Sequence, residues 1–306
     1  MKSESIHSIE ISSLSKTYKG RKGKVVEALS ELSLTIQNGE ICGFLGPNGA
    51  GKSTTIKILM GLITATSGTA TLCGLPVTDP GARKRVGYLP ENPSLFDYLT
   101  AREYLALCGR AFAMDGESIL RESQRVLELL DLREAADRPV RGYSKGMVQR
   151  LGLARTLLHD PDVFILDEPM SGLDPVGRAL VKDILKDLKS RGKTVFFSTH
   201  ITADVEVVCD RVAVIVGGRL RSVDVVDELL ESGIEGYDIQ VKNCAPALYA
   251  GLTSSSKASD ITEIYVPRDR FNEFLAHLGK NGGDIHLIEP KRKDLEAFFL
   301  DILGKG

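Results

Sequence analysis

The sequence predicts an α/β fold: a mainly parallel sheet core, an antiparallel β portion near the N-terminus, an inserted helical subdomain and a small C-terminal α+β domain. Three observations predict it. Short β-like runs recur at 8–12, 33–36, 41–45, 69–73, 163–166, 194–198 and 212–216, with helical patterns between several of them. Between about 96 and 158 the strand signals stop and helix signals take over, as in REYLALCGRAFAM and ESQRVLELLDL. After 225 the pattern restarts on a smaller scale. Strands alternating with helices favour a parallel sheet covered on both faces.

The chain has 306 residues, of which 42% are hydrophobic. That suits one large domain, 5–225, with its helical subdomain at about 96–158, and a small accessory domain at 228–306. With 39 basic and 41 acidic residues the formal charge is -2, so no global field attracts a nucleic-acid backbone. Cys42, Cys73, Cys108, Cys209 and Cys244 form no C-x-x-C pair, which argues against a zinc site, a redox dithiol or a disulfide framework. The opening MKSESIHSIEISSLSKTYKG lacks the apolar core of a signal peptide. No apolar run reaches the roughly 18 residues of a spanning helix. Action on a membrane is therefore expected to pass through a partner.

The first chemistry-bearing stretch is ICGFLGPNGAGKSTTIKILMGL, a buried strand, a glycine-rich loop and a helix. That context turns a G-x-x-x-x-G-K-S match into a phosphate-binding loop. Gly46, Gly49 and Gly51 let backbone N–H groups turn toward an anion, and Pro47, Asn48 and Ala50 complete the loop. Lys52 is expected to reach the β and γ phosphates, Ser53 to place its hydroxyl on Mg²⁺, and Thr54 to donate to the α phosphate.

Next comes YSKGM, where Ser144 can cap a helix beginning near Met147. With the Gly146 N–H and the charge of Lys145 it has the makings of a second anion site, though such a cap is also ordinary helix structure. DVFILDEP follows, four apolar residues ending in two carboxylates at the C-terminal edge of a central strand. Asp167 is expected to hold the Mg²⁺ shell, and Glu168 to polarise a water for attack on the γ phosphorus.

The accessory region begins with VDELLESGIEG, read as a helix end and a linker. Tyr237, Ile239 and Val241 then alternate with polar residues as a half-buried strand does. Phe271, Phe274, Leu275 and Leu278, and again Leu295, Phe298, Phe299 and Ile302, carry helix spacing. No catalytic constellation is visible there.

The order GPNGAGKST, YSKGMVQR, ILDEP, SGLD and FFSTH resembles the ATP-binding cassette (ABC) ATPases, P-loop NTPases with a Walker A loop, signature, Walker B strand, D-loop and switch histidine in that order. The resemblance covers about residues 5–225. YSKGM replaces the family's Leu-Ser-Gly-Gly-Gln signature, keeping Ser144 and Gly146. The resemblance implies that two cassettes pair head to tail, so that Ser144, Lys145 and Gly146 serve the ATP of a second copy or a related cassette. It further implies that Tyr18 stacks on adenine, that His200 contacts the γ phosphate, and that Asp174 communicates across the dimer. Glu91, in GYLPEN, stands where the family usually has a glutamine that touches Mg²⁺ and water. A carboxylate there can ligate Mg²⁺ but disfavours nearby γ-phosphate charge.

The function implied is that of an ATPase, with ATP and Mg²⁺, in an ABC transporter resembling exporters. It would sit peripherally on the cytoplasmic face of the membrane, bound to a separate membrane-spanning permease subunit, with no nucleic acid involved. Candidate contacts for that subunit are the apolar ridge of the helical subdomain and the loop from Glu91 to Leu99. Translation factors of this family carry two cassettes in one chain, and its chromosome-organising members carry heptad arms or zinc modules. Neither feature is present here.

Overall fold

Strands that are apolar on both faces need cover on both faces, and that requirement organises the first unit. The computed structural model describes residues 7–19, 25–242, 244, 246–257, 261–281 and 283–304. It divides into two units, Met1–Asp224 and Val225–Gly306.

In chain order the first unit contains β1 (Ile9–Lys19), β2 (Val25–Ile36), β3 (Ile41–Leu45), α1 (Lys52–Leu59), β4 (Ser67–Leu72), β5 (Leu75–Pro76) and β6 (Val86–Leu89). Then follow α2 (Ala101–Ala111), α3 (Gly116–Leu129), α4 (Lys145–Leu157), β7 (Val163–Asp167), α5 (Pro175–Ser190), β8 (Thr194–Thr199), α6 (Thr202–Val208), β9 (Arg211–Val216) and β10 (Arg219–Val225). The central sheet runs β10-β9-β3-β8-β7-β6, and its pairs from β9 to β6 are parallel. An antiparallel sheet, β2-β1-β4-β5, lies beside it.

Alternation along β7 and β8 divides the core in two. Phe164, Leu166, Val195 and Phe197 pack on one face, with buried residues of α2, α3, α4 and α5. Val163, Ile165 and Phe196 pack on the other, with α1 and the antiparallel sheet. The helical subdomain enters between β6 and β7. Its helices have capped starts: Thr100 and Glu103 form a reciprocal capping box on α2, and Asp115 caps α3.

The second unit contains α7 (Val226–Ser232), β11 (Ile234–Lys242), β12 (Thr253–Lys257), β13 (Ile261–Pro267), α8 (Phe271–Lys280), β14 (Asp284–Arg292) and α9 (Leu295–Gly304). Its sheet runs β12-β13-β11-β14, and Phe274 and Leu278 of α8 pack on Ile239, Val241, Ile264 and Val266.

Several sequence readings are corrected. The second strand starts at Val25, eight residues before the apolar run that signals it, because its first half is an exposed hairpin arm. β6 and β10 give too short or too polar a pattern to be read alone. The α4 helix begins at Lys145, two residues earlier than Met147. The stretch read as a linker is α7, a glycine and the start of β11.

Phe196 is fully buried with its ring 5.2 Å from that of Phe44. Phe196→Ala is expected to destabilise the first unit by about 3–5 kcal/mol, read from its urea midpoint by circular dichroism. His159 stacks on Phe112 at 3.7 Å, and burial pushes its pKa down. An unfolded chain therefore takes up the proton first, so stability falls as pH drops below the ordinary histidine value of about 6.5. His159→Gln should flatten that part of the stability profile.

Candidate functional site

The strand β3 ends at Leu45 and α1 begins at Lys52, so the chain must reverse in six residues. A Cβ on Gly46 would come within 2.4 Å of the Ile215 carbonyl oxygen, so only glycine fits there. Gly51, at φ 111°, starts α1 with no side-chain cap. The first N–H groups of the helix therefore remain for an anion, with the positive end of the helix dipole behind them. Residues 47–54 line a cavity of about 370 Å³, together with Ala28, Glu91 and Glu168.

Lys52 is 7% exposed; its Nζ donates to the carbonyls of Gly46 at 2.6 Å and Pro47 at 3.2 Å and lies 3.7 Å from Glu168 Oε1. Burial lowers its pKa, against the opposing charges of Glu168, Asp167 and Glu91. Its ammonium thus sits between loop carbonyls and carboxylates, facing the cavity.

The register of the parallel strands assembles the rest. Leu45 pairs with Thr199, and Asp167 with Ser198, so the chain following each strand emerges at one edge of the sheet. Ser198 Oγ donates to Asp167 Oδ1 at 2.6 Å and accepts from the Glu168 N–H at 3.0 Å. Ser53 Oγ donates to the same Asp167 oxygen at 3.3 Å. His200 Nδ1 lies 3.0 and 3.1 Å from the two Glu168 carboxylate oxygens.

This donor set suits Mg²⁺. A hydroxyl on Ser53 stands against the buried Asp167 carboxylate, Glu91 lies on the cavity wall, and no cluster of three or more His, Cys, Asp or Glu among the described residues forms an all-protein cage. An ion bound here would complete its shell with phosphate oxygens and water, as Mg²⁺ ordinarily does.

Not every expected residue comes to this cavity. Tyr18, 39% exposed and paired with Val26, does not line it; Lys16 Nζ stands 5.1 Å above its ring. Ser144 Oγ caps α4 by accepting from the Met147 N–H at 3.2 Å. Gly146 and Lys145 lie against Gly172 and Leu173. Asp174 caps α5, accepting from the Gly177 N–H at 2.9 Å. Ser144, Lys145, Gly146 and Asp174 therefore form a group apart from the cavity walls.

Two side chains that the motifs did not single out hold the carboxylate edge. One is Ser198, two residues before His200, whose role follows from strand register. The other is Gln149, which donates to the Glu168 and Pro169 carbonyls at 3.3 Å each. No local signal marks either. Ser198→Ala would leave the Glu168 N–H and Asp167 Oδ1 each short of a partner, so a loss of about 1–3 kcal/mol in urea unfolding is expected.

Residues 29–171 match a family of ABC transporter domains. An uncharacterized ABC transporter ATP-binding protein of Synechocystis is 47% identical over 222 residues, 71% of this chain and 62% of that protein's length. The chain thus spans less than two thirds of that relative. A Nod factor export ATP-binding protein I of Burkholderia lata is 42% identical over 90% of this chain and 91% of its own. Among solved structures, a dimeric ATP-binding cassette in a post-hydrolysis state with ADP and phosphate matches at a TM-score of 0.66 and 26% identity, covering 71% of this chain and 98% of that one.

Proposed function

This chain belongs to the ABC transporter ATP-binding family, and we propose that it is the ATP-hydrolysing motor subunit of an exporter in that family. One observation carries the reading: a phosphate loop, a buried Asp167, a Glu168 carboxylate and His200 stand together at one sheet edge, with Lys52 between them.

In this reading the loop N–H groups and Lys52 hold the β and γ phosphates of ATP. Mg²⁺, held by Ser53 and Asp167 with Glu91 beside them, neutralises the oxygens of those phosphates when bound. Glu168 takes the proton of the attacking water, and His200 keeps that carboxylate turned toward the γ phosphorus. Tyr18 would stack on adenine. Ser144, Lys145 and Gly146 lie away from their own cavity and so suit the nucleotide of a second copy, with Asp174 at the same face. A dimeric solved relative supports that pairing.

Among the described residues no helix is long and apolar enough to cross a membrane, so a separate permease subunit would carry the substrate path. Phe96 and Tyr98 are 49% and 67% exposed in the loop that follows Glu91, a fitting contact for it. The cassette would then lie on the cytoplasmic face of the membrane. Export as the direction rests on the Nod factor export relatives.

Lys52→Ala should weaken Mg-ATP binding by about two orders of magnitude in an equilibrium titration, and unchanged affinity would remove the phosphate-loop assignment. Glu168→Gln should bind Mg-ATP, dimerise, and hydrolyse at least about a hundredfold more slowly; normal turnover would remove Glu168 as the base. Tagged Glu168→Gln, purified with Mg-ATP from gently solubilised native membranes, should retain a multi-spanning protein in near-equal amount. Ribosomal or DNA-bound partners in its place would reject the transporter reading.

A further inference from the structure

Glu168 holds a backbone φ of 49°, a left-handed conformation that a side-chain-bearing residue adopts only where its surroundings over-determine it. Two side chains do so. Ser198, on the neighbouring strand, accepts from the Glu168 N–H at 3.0 Å. Gln149, only 4% exposed, spends its amide Nε2 on the Glu168 and Pro169 carbonyls at 3.3 Å each.

The two supports differ in origin. Ser198 belongs to the same rigid sheet as Asp167, whereas Gln149 belongs to α4, the helix that Ser144 caps. Five residues separate Ser144 from Gln149, or about 7–8 Å along the axis. The next residue, Arg150, donates to the Leu130 and Asp131 carbonyls at 3.1 and 3.2 Å and to Asp131 Oδ2 at 3.1 Å. Successive residues of α4 therefore tie it to the catalytic edge on one side and to the end of α3 on the other.

We propose that Gln149 is a positioning residue: it holds the left-handed Glu168 peptide through its carbonyl, and so makes α4 a link between the Ser144–Gly146 loop and the carboxylate of the same chain. In a head-to-tail dimer that link joins the two nucleotide sites, because the loop faces the partner's ATP while Glu168 faces its own. The inference rests on the reading of Glu168 as base and of the second loop as the partner's site.

The donor is the point at issue, so the test varies the donor at constant size. Gln149→Met keeps the volume and removes the N–H groups. Its kcat for Mg-ATP is expected to fall at least roughly tenfold, while affinity for a fluorescent Mg-ATP analogue changes less than about twofold. Gln149→Glu offers an O–H donor when protonated and a repelling carboxylate when ionised, and burial raises its pKa. The kcat ratio of Gln149→Glu to Gln149→Met should therefore rise at least about fivefold between about pH 8 and pH 6. If Gln149→Met does not fold, Gln149→Asn, with its amide drawn back by one methylene, takes its place with the same expectation.

Turnover in Gln149→Met within about twofold of wild type, a parallel loss of kcat and affinity, or a flat ratio across pH would each overturn the proposal. Wild-type chain that does not hydrolyse ATP, or Glu168→Gln that hydrolyses normally, would overturn the reading of the site itself. Those controls separate the two failures.

Discussion

The register of β3, β8 and β7 is the constraint on which the remainder depends. A shift of one residue in either pairing would exchange every buried side chain between two filled cores, since Phe196 and Phe197 belong to opposite ones. Close packing of both faces therefore fixes where Leu45, Asp167 and Thr199 end. The phosphate loop, Glu168 and His200 inherit that alignment, and no loop-to-loop contact has to create it.

Around Lys52 the charges are arranged so that the empty cavity remains electrostatically tolerable. A half-enclosed ammonium is costly to keep charged, and Glu168, Asp167 and Glu91 offset that cost. The same carboxylates repel an incoming polyphosphate, so anion binding calls for the loop N–H groups and a divalent cation together. The site is thus built for a metal-bound phosphate chain in preference to a bare anion.

The molecule contains two helix starts of different character. The α1 start is open, glycine-bounded and faces a cavity, while the α4 start is satisfied by Ser144 and lies against Gly172 and Leu173. Only the first is a self-sufficient anion cradle. The second is held by Gln149 and Arg150 against two different bodies of the same unit, which gives a rigid helix whose exposed end is left for another molecule.

How much could be read without coordinates differs by feature. The β3-loop-α1 passage is legible because a tight phosphate-facing turn admits few residue types, and the apolar runs of β7 and β8 are legible because burial on both faces leaves little choice. The first half of β2 is not, since a hairpin arm that is partly exposed carries no periodicity. The sequence by itself determined the fold class, the phosphate loop and the carboxylate pair, through local sterics and hydrophobic pattern. Only the tertiary structure decided that Ser198 and Gln149, 30 and 19 residues from Glu168, grip its strained peptide from opposite directions. Strand register and helix packing set those contacts, and both are properties of the whole packed unit that no short stretch of chain contains.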